Sequence, residues 1–193
     1  STPKVGDVEL VAKTMAALVK DSMGLNMTSI ISIADWLTTE MAYGLADKED
    51  ACGFNGDGTS TFGGISGWKT ALKAGSVVDA ASGNVSFETF DLQDFRNTVA
   101  AVKHVTGAEY GWFINKTGYE KSMQRLKDAG GGNSNQNIAD GSDQMFLGYP
   151  VHYTQVLPSS DAVSTIQAYF GDLRMSSTLG TLAGMSVESN GGG

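Results

Sequence analysis

The sequence predicts an α+β fold, and three observations support this prediction. Helical periodicity recurs along the chain, short alternating apolar segments occur in its second half, and the two do not alternate as regular βαβ units. Of the 193 residues, 41% are hydrophobic, which excludes a disordered chain. The 25 glycines do not recur at every third position, which excludes collagen.

Two helices are predicted in the first third of the chain. The first covers residues 8–20, where five apolar residues share one helical face: Val8, Val11, Met15, Leu18 and Val19. The second begins at about Ile30 and continues to about Cys52, because no proline interrupts its periodic apolar residues before Gly53 and Gly56 end it. Apolar residues on two sides of this long helix predict that it is buried on more than one side.

A glycine-rich loop follows over residues 53–69, and its aromatic residues indicate an ordered structure rather than a linker. Asn55 and Asp57 fit two positions of a calcium-binding loop, but glycines occupy its first and last positions. We therefore expect no calcium there. Asp57 and Thr59 are instead expected to cap backbone amides of a turn.

The second half of the chain alternates between predicted helices and predicted strands. Asp91 is a predicted N-cap for a helix that ends at Gly107, and Thr117 with Glu120 predicts a capping box for another helix. Strands are predicted over residues 111–115, 148–156 and 165–170. Residues 129–144 are almost entirely small and polar, which predicts a mobile loop.

Charge and cysteine content exclude several function classes. A net charge of −8 argues against a free-standing DNA-binding protein, because phosphate contacts need clustered lysines and arginines. The single cysteine, Cys52, excludes an intramolecular disulfide framework and a cysteine-rich zinc site. No apolar run could span a membrane and no signal peptide begins the chain, so we expect a soluble protein of intracellular origin.

The residues assemble no catalytic or metal-binding motif. His104 and His152 are far apart and are interpreted as structural, one late in a helix and one in a strand. The acidic run over residues 47–50 is interpreted as a solvated helix face, and Cys52 as a small core residue. The sequence therefore predicts no catalytic residue, metal or cofactor, and a protein that is not an enzyme.

Four blocks of sequence follow one another between about residue 8 and residue 187. The first is the long helix with Tyr43-Gly44-Leu45-Ala46, which runs into Phe54-Asn55-Gly56-Asp57-Gly58-Thr59 and Gly63-Gly64-Ile65. The others are residues 112–128, Leu147-Gly148-Tyr149-Pro150-Val151, and Ala168-Tyr169-Phe170-Gly171-Asp172. In this order the blocks resemble the major capsid proteins of tailed phages, or prophages, of the Hong Kong 97 type.

This resemblance implies a capsid fold of two domains. Residues 1–59 would belong to a peripheral domain with residues 29–54 as its spine helix, and residues 60–155 would form a mixed α/β axial domain. Residues 156–193 would return to the peripheral domain. A structural turn between the domains would comprise Asn55, Gly56, Asp57, Gly58 and Thr59. A subunit-contact loop at the axial tip, within residues 129–144, would include Gly130, Gly131, Gly132, Asn133 and Asn135.

The function implied is that of a virion shell protein, which forms pentamers and hexamers of an icosahedral head around double-stranded DNA. Its partners would be other copies of itself, with scaffolding protein, maturation protease and portal, while DNA would be held only non-specifically and no membrane would be bound. Assembly would take place in the cytoplasm of the host bacterium. The family's N-terminal arm, extended loop and closing strands are not found, which predicts a form truncated at both ends that assembles poorly alone.

Two alternatives stay open at this point. An encapsulin-type compartment shell would keep the fold but enclose enzymes instead of DNA. A small metal-dependent hydrolase would merely share glycine loops, and it would need carboxylates or histidines that converge on a metal. The shell interpretation predicts broad contact surfaces and no deep polar pocket with perturbed carboxylates.

Overall fold

The computed structural model describes residues 11–20, 33–132, 144–177 and 180. The chain divides into two units, one of Ser1–Gly67 with Leu179–Gly193 and the other of Trp68–Thr178. The fold is a mixture of helices with one four-stranded mixed sheet, which is compatible with the predicted α+β class.

The long predicted helix dominates the first unit as α1 (Ile33–Asn55), 23 residues in length. Residues 29–32 lie outside the described part of the chain. Cys52 is its one buried residue, so the prediction of burial on more than one side is wrong within the single chain. Gly56 N donates to Cys52 O at 3.0 Å directly after the helix, and a 3₁₀ turn (Ser60–Phe62) follows.

Residues 11–20 do not form the predicted helix. They have neither helix nor strand, and every one of their side chains is exposed. A ten-residue helix is marginal in water unless its apolar face packs against something. Leu18 is 87% exposed, so the periodicity alone does not produce a helix over these described residues.

Two short helical elements open the second unit, α2 (Trp68–Ala71) and a 3₁₀ turn (Ala74–Ser76). They precede α3 (Leu92–Ala101), whose N-cap is Asp91 as predicted. The helix ends six residues before Gly107 because the Tyr110 side chain forms hydrogen bonds with backbone groups that follow the helix. Its hydroxyl donates to Lys103 O at 3.0 Å and accepts from Val105 N at 2.8 Å.

A second helical run begins just after the first strand. It comprises α4 (Lys116–Tyr119), a π-helical segment (Glu120–Gln124), α5 (Arg125–Lys127) and a second π-helical segment (Asp128–Gly132). Its N-cap is Asn115, whose Oδ1 accepts from Thr117 N at 3.0 Å. The predicted capping box is therefore wrong, because the helix begins before Thr117. A last short helix, α6, covers Leu173–Ser176.

The sheet has the order β2-β3-β1-β4 and combines β1 (Gly111–Ile114), β2 (Met145–Phe146), β3 (Tyr149–Tyr153) and β4 (Ala168–Gly171). Strand β1 runs parallel to β3, with Trp112 opposite Val151, and antiparallel to β4, with Trp112 opposite Phe170. The three predicted strands are all present, and β2 adds a short antiparallel edge.

The core of the second unit lies on one face of this sheet. Its buried members are Phe87, Phe95, Trp112, Ile114, Tyr119, Met123, Phe146 and Val151. On β1, the intervening Phe113 contacts the ring of Trp68 instead, with centroids 6.1 Å apart. The pleat of β1 therefore separates a core of aromatic rings from a second, smaller aromatic group on the other face.

The position of β4 bears on the domain boundaries. The domain prediction placed residues 156–193 with the first domain, whereas the pairing of β4 with β1 joins Ala168–Gly171 to the sheet of the second unit. The assignment of either unit as a peripheral or axial domain stays a prediction.

Candidate functional site

The predicted structural turn, residues 55–59, is closed by a pair of backbone hydrogen bonds. Gly58 N donates to Ile65 O at 3.0 Å, and Gly67 N donates to Gly56 O at 2.9 Å. These bonds bring the end of α1 and residues 65–67 into direct backbone contact. The whole turn lies in the first unit.

Asp57 caps a backbone amide of this turn, as expected. Its Oδ1 accepts from Thr59 N at 2.8 Å, and its backbone forms an antiparallel bridge with Ser66. The side chain of Thr59, which was given the same role, makes no capping bond to the 3₁₀ turn that follows it. Across the residues that the structure describes, no three histidine, cysteine or acidic side chains cluster as metal ligands would.

Lys48 connects α1 to the tip of the glycine loop. Its Nζ donates to Thr61 O at 3.0 Å and lies 5.4 Å from the centroid of the Phe62 ring. The backbone bond and the cation–π contact act on adjacent residues, so one side chain holds the 3₁₀ turn against the helix. The acidic residues on both sides of Lys48 are exposed, which fits a solvated helix face.

The predicted contact loop is described only at its beginning. Gly130, Gly131 and Gly132 lie in the second π-helical segment, where Gly131 has a φ of 100°. Asn133 and Asn135 lie outside the described residues. A role of these residues in subunit contacts stays a prediction.

Both histidines pack against aromatic rings. His152, on β3 as predicted, stacks on Phe113 with centroids 5.1 Å apart. His104 was predicted late in a helix, but α3 ends at Ala101, so His104 lies beyond it with its ring 6.4 Å from that of Tyr110. Among the residues with a described placement, no third ligand joins the two histidines.

A cavity of about 1080 Å³ lies within the second unit. Its apolar floor is formed by Phe90, Phe95, Trp112 and Phe170. Asp94 and Asp161 also line it.

The oxygens of both aspartates are used by the protein's own amides. Asp94 accepts from Asp91 N, from Ala81 N at 2.9 Å and from the Asn84 amide at 2.6 Å. Asp161 accepts from Phe87 N at 2.7 Å. The Asp94 carboxylate, which accepts three such bonds, holds its neighbouring loop in place and is a poor general base.

Asp172 is the third aspartate with this function. Its Oδ1 caps α6 by accepting from Arg174 N and Met175 N, and its Oδ2 accepts from Glu109 N at 2.8 Å. This arrangement gives a physical reason for the Phe170-Gly171-Asp172 motif. The aspartate follows β4, caps α6 and binds the backbone at Glu109, just before β1. The N-cap could have been predicted from an aspartate before a helix.

Burial alone would raise the pKa of Asp94, but its hydrogen bonds from Asp91 N, Ala81 N and Asn84 outweigh burial and lower the pKa below its usual value. A lowered pKa in the folded state stabilises the fold above about pH 4 and is lost as the pH falls through the folded-state pKa. We expect Asp94→Asn to cost about 1–3 kcal/mol at neutral pH. We also expect it to weaken the loss of stability in acid, measured by urea unfolding from pH 7 to pH 2.

Asp79→Asn is the matched control, because Asp79 is exposed on the same unit. It should change the free energy of unfolding by less than about 0.5 kcal/mol. Part of the loss of stability in acid should remain in both variants, because the Glu109 amide lowers the pKa of Asp172 as well. An Asp94→Asn variant with the wild-type slope below pH 4 would contradict this role.

Comparison with known proteins adds one finding. A model of the phage capsid family matches residues 1–190. No curated protein and no solved structure matches the chain significantly. Within the described part of the chain, none of the helices is both long and apolar enough to cross a membrane.

Proposed function

The chain belongs to the phage capsid family, and on that premise we propose that it forms pentamers and hexamers of an icosahedral head around double-stranded DNA. Members of this family are structural proteins of the virion. The match over residues 1–190 is the observation that carries the proposal, since it spans nearly the whole chain. The same proposal gives the chain a Hong Kong 97-type fold.

In this proposal the first unit is the peripheral domain, with α1 as its spine helix, and the second unit is the axial domain. The length of α1 supports the first assignment, since 23 residues at 1.5 Å each give a rod of about 35 Å. The pairing of β4 with β1 supports an axial domain that extends to about residue 178. Residues 130–135 would supply a contact at the axial tip.

Exposed apolar side chains support self-association. In α1, Trp36 is 57% exposed and Tyr43 is 69% exposed, and they lie seven residues apart on the same side of the helix. Val77, Val85 and Val163 are exposed in the second unit. Contacts between copies would remove such surface from water. Scaffolding protein, maturation protease and portal are the further partners of the proposal, with assembly in the host cytoplasm.

The test is the oligomeric state of the purified full-length protein. We expect size-exclusion chromatography with light scattering to show masses of five and six copies as the concentration rises, and negative-stain electron microscopy to show rings of matching symmetry. Closed shells are not needed for this test. A mass of one copy at every concentration and ionic strength would contradict the proposal.

A further inference from the structure

One side of α1 carries a row of exposed aromatic and acidic side chains, which we call the α1 stripe. Its members are separated by four and three residues in turn, the spacing that places side chains on one face of a helix. They are Trp36, Glu40, Tyr43, Asp47 and Asp50, and all five are exposed. The half-buried residues Leu37, Met41 and Leu45 point away from the stripe. The stripe extends over about 21 Å of the helix.

The stripe carries negative charge that its own chain does not compensate. The one basic residue of α1 is Lys48, and its Nζ donates to Thr61 O on the glycine loop. In the described part of the chain, the carboxylates of Glu40, Asp47 and Asp50 form no ion pair. Exposed aromatic rings beside unpaired carboxylates are suited to a partner surface that is basic and has room for a ring.

The charge of the stripe restricts how two copies of the chain can use it. Two stripes placed against each other would bring carboxylates against carboxylates, which opposes association. The stripe therefore binds a different surface of a second copy, and a contact between two different surfaces is heterologous. Heterologous contacts generate rings when their rotation closes, as the proposed pentamers and hexamers require.

The exposed side of α3 and the residues just after it provide a basic surface, which we call the α3 patch. It consists of Arg96, Ala100 and Lys103, all of them exposed. The acidic residue within α3, Asp94, is buried and accepts hydrogen bonds from the protein's own amides, so it does not cancel the charge of the patch. The Tyr110 hydroxyl donates to Lys103 O at 3.0 Å and holds the backbone from which this lysine extends.

The stripe and the patch also match in spacing. Glu40 and Asp47 are seven residues apart with Tyr43 between them, and the two cations of the patch are seven residues apart with a small alanine between them. Seven residues of helix span about 10 Å. Lys103 lies two residues beyond the end of α3, and its long flexible side chain accommodates the different rise of those residues.

We propose that the α1 stripe of one copy binds the α3 patch of the neighbouring copy. The carboxylates of Glu40 and Asp47 pair with the cations of the patch, and the Tyr43 ring lies against the alanine between them. Arginine–carboxylate pairs are directional and fix the register of a contact, while the aromatic rings supply apolar area. This inference rests on the proposed function, because a ring of copies supplies the neighbour.

Charge reversal in the full-length protein tests the contact. The stripe variant combines Glu40→Lys with Asp47→Lys, and the patch variant combines Arg96→Glu with Lys103→Glu. Each places like charges in contact, so we expect the concentration at which rings form by light scattering to rise about a hundredfold. Combining all four substitutions in one chain should restore rings. An equal mixture of the two variants should form hexamers but no pentamers, because its copies must alternate.

The matched control combines Glu49→Lys with Asp79→Lys, which changes the net charge by as much as the stripe variant does. Glu49 is exposed on α1 but lies outside the stripe, and Asp79 is exposed in the second unit. We expect this control to form rings at the wild-type concentration. Rings at the wild-type concentration in both the stripe and the patch variants would overturn the contact and leave the proposed function standing.

Cross-linking tests the same contact without the need for rings. A carbodiimide joins a carboxylate to a lysine amine as an amide, with loss of water, when the two groups are in contact. In an equal mixture of ¹⁴N- and ¹⁵N-labelled full-length protein, we expect mixed-isotope peptide pairs that join Glu40 or Asp47 to Lys103. Absence of rings in the wild type contradicts the proposed function, whereas absence of this cross-link between copies overturns the contact.

Discussion

Replacing Gly67 with alanine is expected to lower the free energy of unfolding of the first unit by about 3 kcal/mol. A Cβ at this position would lie 2.5 Å from Cys52 O, 2.6 Å from Gly53 O and 2.6 Å from Gly56 N. All three are backbone atoms, so no side chain can rotate to relieve the overlap. The chain would have to separate the end of α1 from residues 65–67 and lose the bond between Gly67 N and Gly56 O.

Gly53→Ala is the matched control, because it makes the same change within α1 where no atom lies within 4 Å of the added Cβ. It should stabilise the helix by about 0.5–1 kcal/mol, since alanine loses less backbone entropy than glycine. Urea unfolding followed by circular dichroism measures both variants. Equal unfolding midpoints for Gly67→Ala and Gly53→Ala would contradict the close approach of Gly67 to the backbone at the end of α1.

Local patterns were sufficient to predict the long helix, the start of α3 and three of the four strands. They failed where a side chain outside the predicted element determines the backbone conformation. The helix beginning at Leu92 was extended to Gly107 because no breaker intervenes, yet the Tyr110 hydroxyl binds Lys103 O and Val105 N and ends it early. Residues 11–20 have helical periodicity, but without packing a short amphipathic segment gains too little to pay its ordering entropy.

The same limit applies to the candidate site. The glycine turn was predicted because its signal is local, and Asp57 caps the amide two residues away. The bonds of Asp161 and Asp172 to Phe87 and Glu109 span 74 and 63 residues, which no spacing rule covers. Asp94 was within reach of prediction, because it lies three residues after the N-cap Asp91, as the acidic residue of a capping box does.

Trp112→Ala is expected to cost the second unit about 3–5 kcal/mol, a large part of the roughly 5–15 kcal/mol that stabilises a typical domain. Trp112 is 1% exposed, and its ring lies 4.6 Å from that of Phe170 and 5.6 Å from that of Phe95. Because it connects β1 to β4 and α3 and already lines the cavity of the second unit, its removal enlarges that cavity. Urea unfolding monitored by circular dichroism measures the loss.

Trp36→Ala removes the same side chain from an exposed position, so it controls for the chemistry of the substitution. We expect a change within about 0.5 kcal/mol, since Trp36 has little buried surface to lose within a single chain. Trp112→Phe should cost less than Trp112→Ala, because Trp112 Nε1 is buried with no acceptor among the described residues and phenylalanine removes that unpaired donor. If Trp112→Ala and Trp36→Ala unfolded at the same urea concentration, Trp112 would not be the centre of the core, and the packing of β1 against α3 and β4 would have to be redrawn.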